Sequence, residues 1–289
     1  MFFNKFSLIC ILSKEFPNLI LYAMKIQHIN VIYYSPTGTS CRIARKVVEG
    51  LKNASRELCY CTTTEYNLTL QNYLSDVTVS DSINIVTSPV YGGRIPDVVV
   101  KRLEKIRSMN SIAVPITVYG NRDYDDALLE LADILEAKGF RIAAAAAFIG
   151  EQSYSRKEMP VAQGRPDMKD CIKAVKFGQE LVSKISDTEN WHKLTIKGHR
   201  PYREKSPGNK QAPVWIKDRC TGCRLCTSVC PVGAISMKED GTVIADGNIC
   251  TKCCACVKKC PAEALIFNTP ATEKLFKNFS ARKEPEIFI

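Results

Sequence analysis

The sequence predicts an α/β fold, a five-stranded parallel sheet with helices on both faces, followed by a small α+β domain. Three observations support this prediction. Short β-rich runs alternate with amphipathic helical patterns from residue 24 to about residue 185, as parallel sheets require. A polar, charged stretch then interrupts the apolar periodicity. Beyond it, nine of the 14 cysteines crowd between Cys220 and Cys260.

The elements of the predicted sheet follow one another regularly. The predicted strands are Ile29–Tyr34, Glu57–Thr62, Ile83–Ser88, Ala113–Tyr119 and Phe140–Ile149. The predicted helices are Ser40–Leu51, Pro96–Ile106, Tyr124–Lys138 and Asp167–Ile185. The third helix has a clear apolar stripe, formed by Leu128, Leu131, Ala132 and Leu135. The segment Asn67–Asp76 is ambiguous and also fits a short helix.

Composition divides the chain into five segments. Residues 1–23 are interpreted as an N-terminal extension ahead of Met24, because the apolar run Phe6–Leu12 is too short to span a bilayer and no small-residue cleavage site follows. We therefore expect no stable membrane insertion. Residues 24–186 form the α/β domain, and residues 187–213 a basic linker. The cysteine-rich domain covers residues 214–268 and a tail covers residues 269–289.

Two cysteine motifs of identical spacing, C-x₂-C-x₂-C-x₃-C-P, run from Cys220 to Pro231 and from Cys250 to Pro261. Three cysteines of such a motif surround one iron–sulfur cube, and the fourth points to the other cube. The sequence therefore predicts two [4Fe–4S] clusters. The first is held by Cys220, Cys223, Cys226 and Cys260, and the second by Cys250, Cys253, Cys256 and Cys230.

Two zinc sites are the alternative, although zinc usually takes separated C-x₂-C pairs. Cys254 could compete with Cys253 as a ligand, but the repeat of 30 residues favours Cys253 and leaves Cys254 as a spare thiol. The motifs resemble those of bacterial two-cluster ferredoxins over residues 214–268. Cysteines clustered in this way indicate metal binding rather than disulfides. We therefore expect the protein to be located in the reducing cytoplasm.

A polar loop between the first strand and the first helix is typical of a phosphate site. It contains Ser35, Thr37, Gly38, Thr39 and Ser40, whose hydroxyl and backbone N–H groups, with the helix N-terminus, suit an anion. An N-capped helix with a polar turn is the simpler alternative. The chain has no ATP-type lysine loop and no G-x-G-x-x-G, so a separate nicotinamide-binding domain is not expected.

Two further loops follow the third and fourth strands and reach the same sheet edge, where open α/β sheets bind ligands. They contribute Pro89, Tyr91, Gly92 and Gly93, and Gly120, Asn121, Arg122 and Tyr124. With the polar loop they resemble the S-x-T-G-x-T, Trp-Gly and G-D-x-x-Y segments of flavodoxins, over residues 26–185. The resemblance implies a flavodoxin-like fold that binds FMN, whose single phosphate suits the polar loop.

The loops depart from the flavodoxin pattern in charge. Asn121 replaces an aspartate, while Arg94 and Arg122 add positive charge that would raise the flavin potential, unless both arginines lie on a solvated surface. The formal net charge of +10 falls to about +4 when two clusters and one FMN each contribute about −2. We therefore expect no nucleic-acid partner.

The whole chain resembles a flavodoxin–ferredoxin fusion, a type associated with anaerobic electron metabolism. This implies a carrier that relays electrons between FMN, two clusters and an external redox protein. The alternatives are an enzyme in which FMN reduces a small organic substrate, and a redox sensor. The basic linker, with Lys197, Arg200, Arg203 and Lys205, is a candidate docking surface for an acidic partner.

Overall fold

The computed structural model describes residues 26–70, 75–187, 194–205 and 209–289. The predicted extension, residues 1–23, and residues 71–74 of the ambiguous segment lie outside this part of the chain. The first domain begins with β1 (His28–Tyr33), α1 (Thr39–Ala54), α2 (Arg56–Tyr60), β2 (Thr62–Asn67), β3 (Val77–Ser80) and β4 (Ser82–Pro89). It continues with α3 (Asp97–Leu103), β5 (Ile106–Met109), β6 (Ser111–Tyr119), α4 (Ala127–Ala137), β7 (Phe140–Ile142), β8 (Ala145–Ile149) and α5 (Met168–Ser186).

The cysteine-rich domain and the tail contain shorter elements. These are β9 (Val214–Trp215), a 3₁₀ helix (Lys217–Arg219), α6 (Leu225–Ser228), β10 (Ile235–Met237), β11 (Val243–Ala245), α7 (Ala255–Lys258), β12 (Leu265–Ile266), α8 (Pro270–Phe279) and β13 (Glu286–Phe288). Strands β9 and β12 form one antiparallel pair, and β10 and β11 form another. None of the helices in the described residues is long and apolar enough to cross a membrane.

The central sheet has the order β2-β1-β4-β6-β8, and these strands are parallel. This is the flavodoxin-like order 2-1-3-4-5, so the predicted α/β fold class is confirmed. Strand β7 also pairs with β6, and β13 from the tail pairs antiparallel with β8. The tail thus adds an edge strand that its weak sequence pattern did not predict.

Both faces of the sheet are covered by apolar helix surfaces. Helices α1 and α5 pack on one face, α3 and α4 on the other, and β4 and β6 between them are almost wholly buried. A Cβ at Gly50 would lie 2.0 Å from the carbonyl oxygen of Val175, and one at Gly178 would lie 2.1 Å from that of Val47. These two glycines therefore allow α1 and α5 to cross closely.

Several predicted boundaries differ from the structure. The predicted strand Glu57–Thr62 is mostly α2, because the Ser55 side chain caps the helix by accepting a hydrogen bond from the Leu58 N–H at 3.2 Å. The second strand is instead Thr62–Asn67. The predicted fifth strand is divided into β7 and β8, which both pair with β6.

Within the basic linker, the described residues 194–205 contain no helix or strand and pack against the α/β domain. Leu194 and Ile196 contact the apolar cluster that contains Tyr124 and Leu128. The four cations predicted as a docking surface form ion pairs within the chain: Lys197 with Asp123, Arg200 with Asp133, Arg203 with Asp125 and Lys205 with Asp97. These pairs reduce the net positive charge of the linker, and docking at the linker stays a prediction.

Candidate cofactor sites

The eight motif cysteines surround two small cavities in the cysteine-rich domain. One cavity is lined by Cys220, Cys223, Cys226 and Cys260. The other is lined by Cys230, Cys250, Cys253 and Cys256, together with Cys254. Each cavity contains the four cysteines that the crossed-ligand spacing groups together, and the second also contains Cys254. Within the described residues no group of His, Cys, Asp or Glu lies close enough together to hold a single metal ion.

Backbone N–H groups support the cysteine sulfurs in the same way in both repeats. The N–H of Ala234 donates to Sγ of Cys230 at 3.1 Å, and the N–H of Ala264 donates to Sγ of Cys260 at 3.3 Å. Such hydrogen bonds stabilise the more negative, reduced state of an iron–sulfur site. Burial raises the pKa of the Cys253 thiol to about 11, whereas the N–H of Leu225 lowers the pKa of the exposed Cys223.

Cys254 occupies the position in the second repeat that Arg224 occupies in the first. Both residues have left-handed backbone conformations, with φ of 57° and 60°, immediately before a four-residue helix. Cys254 is only 2% exposed, and its Sγ approaches the carbonyl oxygen of Lys252 at 3.6 Å. It lines the second cavity beside the predicted ligands.

A larger cleft of about 540 Å³ lies at the carboxyl edge of the central sheet. It is of the size that binds cofactors, about 300–1,000 Å³. Eight of the predicted flavin-site residues line it: Thr37, Thr39, Ser40, Pro89, Tyr91, Gly92, Gly120 and Arg122. Burial raises the pKa of Tyr91 well above its usual value, with smaller contributions from Tyr34 and nearby thiols.

The polar loop fits a bound phosphate. Ser40 Oγ is buried and has no hydrogen-bond partner within the described residues, so it is free to donate to an anion in the cleft. Gly38 has φ of 90°, and a Cβ placed there would meet nothing within 4 Å. Open space beside a left-handed glycine at the start of α1 is what a phosphate cradle needs.

Five predicted residues do not line the cleft. Ser35 Oγ accepts a hydrogen bond from the Cys41 N–H at 3.1 Å and so shapes the loop from behind, next to Gly38. Asn121 instead donates from Nδ2 to the carbonyl oxygens of Phe279 and Ala281, at 2.6 and 2.7 Å, and thereby holds the tail. The other two contact acidic residues: Gly93 lies against Asp125, and Tyr124 donates to Glu286 at 2.7 Å.

The two arginines expected to tune the flavin differ in position. Arg94 lies behind the cleft, where Glu130 pairs with it at 2.8 Å and its guanidinium covers the ring of Tyr202 at 4.7 Å. The solvated-surface interpretation of Arg94 is wrong, because this cation is paired and mostly buried, whereas its effect on the flavin potential stays a prediction. Arg122 does line the cleft, and Asp125 pairs with it.

Sequence reasoning missed part of the cleft wall. Gly150–Tyr154 follows β8 and lines the cleft, and the rule that placed the other loops at this edge applies equally to that strand. Lys205 and Leu275 also line it. So do three residues of the second cysteine motif, Cys250, Thr251 and Lys252. No local pattern indicates this last contact, because it depends on how two distant segments pack.

Comparisons with known proteins address the two domains separately. The family described as 4Fe-4S binding domain matches residues 213–236. The "Ferredoxin-like protein in nif region" of Trichormus variabilis is 49% identical over 35 residues, or 12% of this chain and 30% of that protein. The corresponding protein of Nostoc sp. is 46% identical over 35 residues. The chain thus spans less than a third of these curated relatives.

Among solved structures, rubredoxin oxygen:oxidoreductase from the anaerobe Desulfovibrio gigas is 16% identical, with a TM-score of 0.40, covering 63% of this chain and 41% of that one. A flavodoxin from the domain Archaea is 13% identical, with a TM-score of 0.36, covering 55% and 98%. Neither likeness adds to what the strand order already shows. The chain joins a domain with the flavodoxin-like strand order to a segment that matches the 4Fe-4S binding domain family.

Proposed function

We propose that this protein is an electron carrier that holds one FMN and two [4Fe–4S] clusters and relays electrons between them and external redox proteins. One observation carries the proposal. The cleft that fits a flavin phosphate on one side is lined on another side by Cys250, a predicted cluster ligand. FMN exchanges one or two electrons, whereas a cluster exchanges one. Proximity of the two cofactors therefore suits a protein that converts between two-electron and one-electron transfer.

Several contacts hold the second cysteine motif beside the cleft. Arg102 of α3 donates to the carbonyl oxygens of Leu68, Thr69 and Pro231, at 2.6, 2.7 and 2.5 Å. Lys258 pairs with Glu151 and donates to the carbonyl oxygen of Ser155 at 2.6 Å. The rings of Tyr154 and Phe267 lie 5.2 Å apart. These contacts connect the second cysteine motif to the α/β domain at several points, which supports electron transfer between the two proposed cofactor sites.

The charged side chains that line the cleft favour a carrier over an enzyme that reduces an organic substrate. Glu151 is paired with Lys258, Asp97 with Lys205, and Arg122 with Asp125. A flavin enzyme acting on such a substrate needs an acid or base free to move a proton. Among the described residues lining the cleft, these carboxylates are instead held by cations.

The FMN assignment is tested by the affinity of the variant T37A/T39A. We expect its binding to weaken by a few kcal/mol, since hydrogen bonds to an anion are worth about 1.5–3 kcal/mol each. T62A/T63A, which removes two exposed hydroxyls from β2, is the matched control. Unaltered FMN affinity in T37A/T39A would show that the loop has only a structural role.

Anaerobic stopped-flow reduction of the holoprotein separates carrier from enzyme. NADH or NADPH alone should reduce it slowly, whereas a low-potential ferredoxin-type donor should reduce both the clusters and the flavin. Iron and sulfide analysis should give about eight irons per chain. Rapid reduction by NADPH, with turnover of an organic substrate, would contradict the carrier proposal and favour a flavin-dependent enzyme.

A further inference from the structure

The first cysteine set lies directly beneath the surface of the protein. Four residues that line its cavity are exposed: Thr221, Cys223, Arg224 and Leu225. By contrast, none of the residues that line the second cavity is exposed. The first site is therefore separated from solvent by one layer of side chains, and the second is enclosed between its own domain and the α/β domain.

The exposed layer carries positive charge that no ion pair among the described residues neutralises. Arg219 and Arg224 flank Cys220 and Cys223, and both guanidinium groups lie on exposed residues. Neither forms an ion pair within the part of the chain that the structure describes, in contrast to the linker cations. The same 3₁₀ turn as Arg219 also contains Asp218 and Lys217, which carry opposite charges. Leu225, which is 38% exposed, adds an apolar contact beside them.

We infer that this surface, defined as residues 219–225, docks an acidic redox protein that exchanges electrons with the first cluster site. The inference rests on the proposed function. Unpaired arginines around an apolar residue match the complementary charge that steers redox proteins together. Transient electron-transfer complexes bury little area, below about 1,200 Å² in total, so a small docking surface is sufficient for them.

A small organic substrate does not suit this surface. Ligand sites are concave, whereas the cavity behind residues 219–225 is lined by the four cysteines and is filled when a cluster is bound. The cleft in the α/β domain is concave, yet Leu275 of α8 and the second cysteine motif form part of its wall. A large partner consequently has easier access to the first cysteine set than to the flavin site.

The test is the affinity of the oxidised holoprotein for an oxidised, acidic two-cluster ferredoxin, measured by calorimetry at low and at physiological ionic strength. The variant R219E/R224E should bind about tenfold more weakly at low salt, because two attractive charges become repulsive. The matched control R56E/R107E changes the net charge equally at two exposed arginines of the α/β domain. It should shift the affinity by no more than about twofold.

Cytochrome c, a basic redox protein, provides the opposite probe and should bind R219E/R224E more tightly than the unaltered protein. Dithionite, which needs no docking, should reduce the clusters of both variants at the unaltered rate. Equal losses of ferredoxin affinity in the two variants would overturn the inference, because net charge alone would then be responsible. So would an unchanged affinity in R219E/R224E, or no binding of the acidic ferredoxin by the unaltered protein at low salt.

These outcomes are independent of the relay. If ferredoxin binding responds as expected but reduced clusters never reduce the flavin, the docking surface stands and the relay is wrong. If the flavin is reduced through the clusters while R219E/R224E binds ferredoxin normally, the relay stands and the docking surface is wrong.

Discussion

The two halves of the cysteine-rich domain share a local structure and differ in what surrounds it. Their cysteines, turns and short helices superimpose along the sequence at an offset of 30 residues. Cys223 of the first half is exposed, whereas its counterpart Cys253 is only 7% exposed. The motif spacing therefore fixes the grouping of the cysteines, and packing against a distant part of the chain decides which half adjoins the cleft at the sheet edge.

The difference explains the extra cysteine. The second motif lies against Tyr34, Tyr91 and Tyr154 of the α/β domain, whose pKa values are raised by burial and, to a smaller extent, by the neighbouring thiols. A small, weakly polar side chain fits this buried position, whereas the arginine of the first half needs solvent. Cys254 thus has a packing role beside the predicted ligands.

The largest effect should come from breaking one ligand set at a time. C230S should remove the cluster that adjoins the flavin cleft, and C260S should remove the one beneath residues 219–225, because the fourth ligands cross over. Iron should fall from about eight to about four per chain in each variant. In C230S the flavin should lose its electron supply from the remaining cluster. Anaerobic iron analysis with stopped-flow absorbance measures both.

Loss of the same cluster in both variants would contradict the crossed assignment. Normal flavin reduction in C230S would show that the second cluster site is not the one that serves the cleft. C59S, at an exposed cysteine outside the motifs, is the control for general effects of removing a thiol.

Exchanging the residues at the equivalent positions should have the next largest effect. C254R places a guanidinium in a buried site and should reduce the free energy of unfolding by about 3–5 kcal/mol. R224C makes the reverse change on the surface and should alter it by no more than about 0.5 kcal/mol. The midpoints of anaerobic thermal unfolding test this. Equal effects of the two substitutions would show that the halves do not differ in packing.

A substitution at the contact between the domains should have an intermediate effect. The carbonyl oxygen of Pro231 accepts a hydrogen bond from Arg102, whereas Pro261 at the same place in the other repeat is exposed. R102M should reduce the free energy of unfolding by about 2–3 kcal/mol, since it leaves three carbonyl oxygens without their charged donor. It should also slow electron transfer from the clusters to the flavin, measured by stopped flow.

K101M is the matched control, because Lys101 lies beside Arg102 on α3 and is exposed. Unfolding and electron transfer should both be unaffected by it. If R102M behaves like K101M, the interface is held by other contacts.

The sequence predicted the motifs more completely than their arrangement. Motif spacing grouped the eight ligand cysteines as the two cavities group them, because cysteines three residues apart surround one cluster independently of the rest of the fold. The alternation of strands and helices, which is also a local pattern, predicted the fold class. The contact of residues 250–252 with the cleft was not predictable, since it depends on nonlocal packing. The cysteine at position 254, where the first repeat has Arg224, was one available signal that this half is buried.

Loops with polar partners were the least predictable. Asn121 stands where flavodoxins have an aspartate, which suggested a change in flavin charge, but its side chain binds two carbonyl oxygens of the tail. Tyr124 is likewise turned toward Glu286 of β13. To predict these contacts, one would have to know that the tail returns to the sheet. The tail has no sequence motif that indicates this return.

The smallest expected effect concerns the ion pair of Lys258 with Glu151, which connects the second motif to the loop after β8. The equivalent residue in the first repeat is Ser228, which makes only a local hydrogen bond to the carbonyl oxygen of Leu225. Both partners of the pair are about one quarter exposed, so K258M should reduce the free energy of unfolding by only about 0.5–1 kcal/mol.

Part of that loss belongs to the hydrogen bond with Ser155 and should persist at high salt, whereas the ionic part should be screened. Thermal midpoints of K258M and of K259M, at the exposed neighbouring lysine, should therefore differ at low salt and converge partly as salt rises. Identical midpoints at low salt would show that the apolar and Arg102 contacts alone hold the second motif against the cleft.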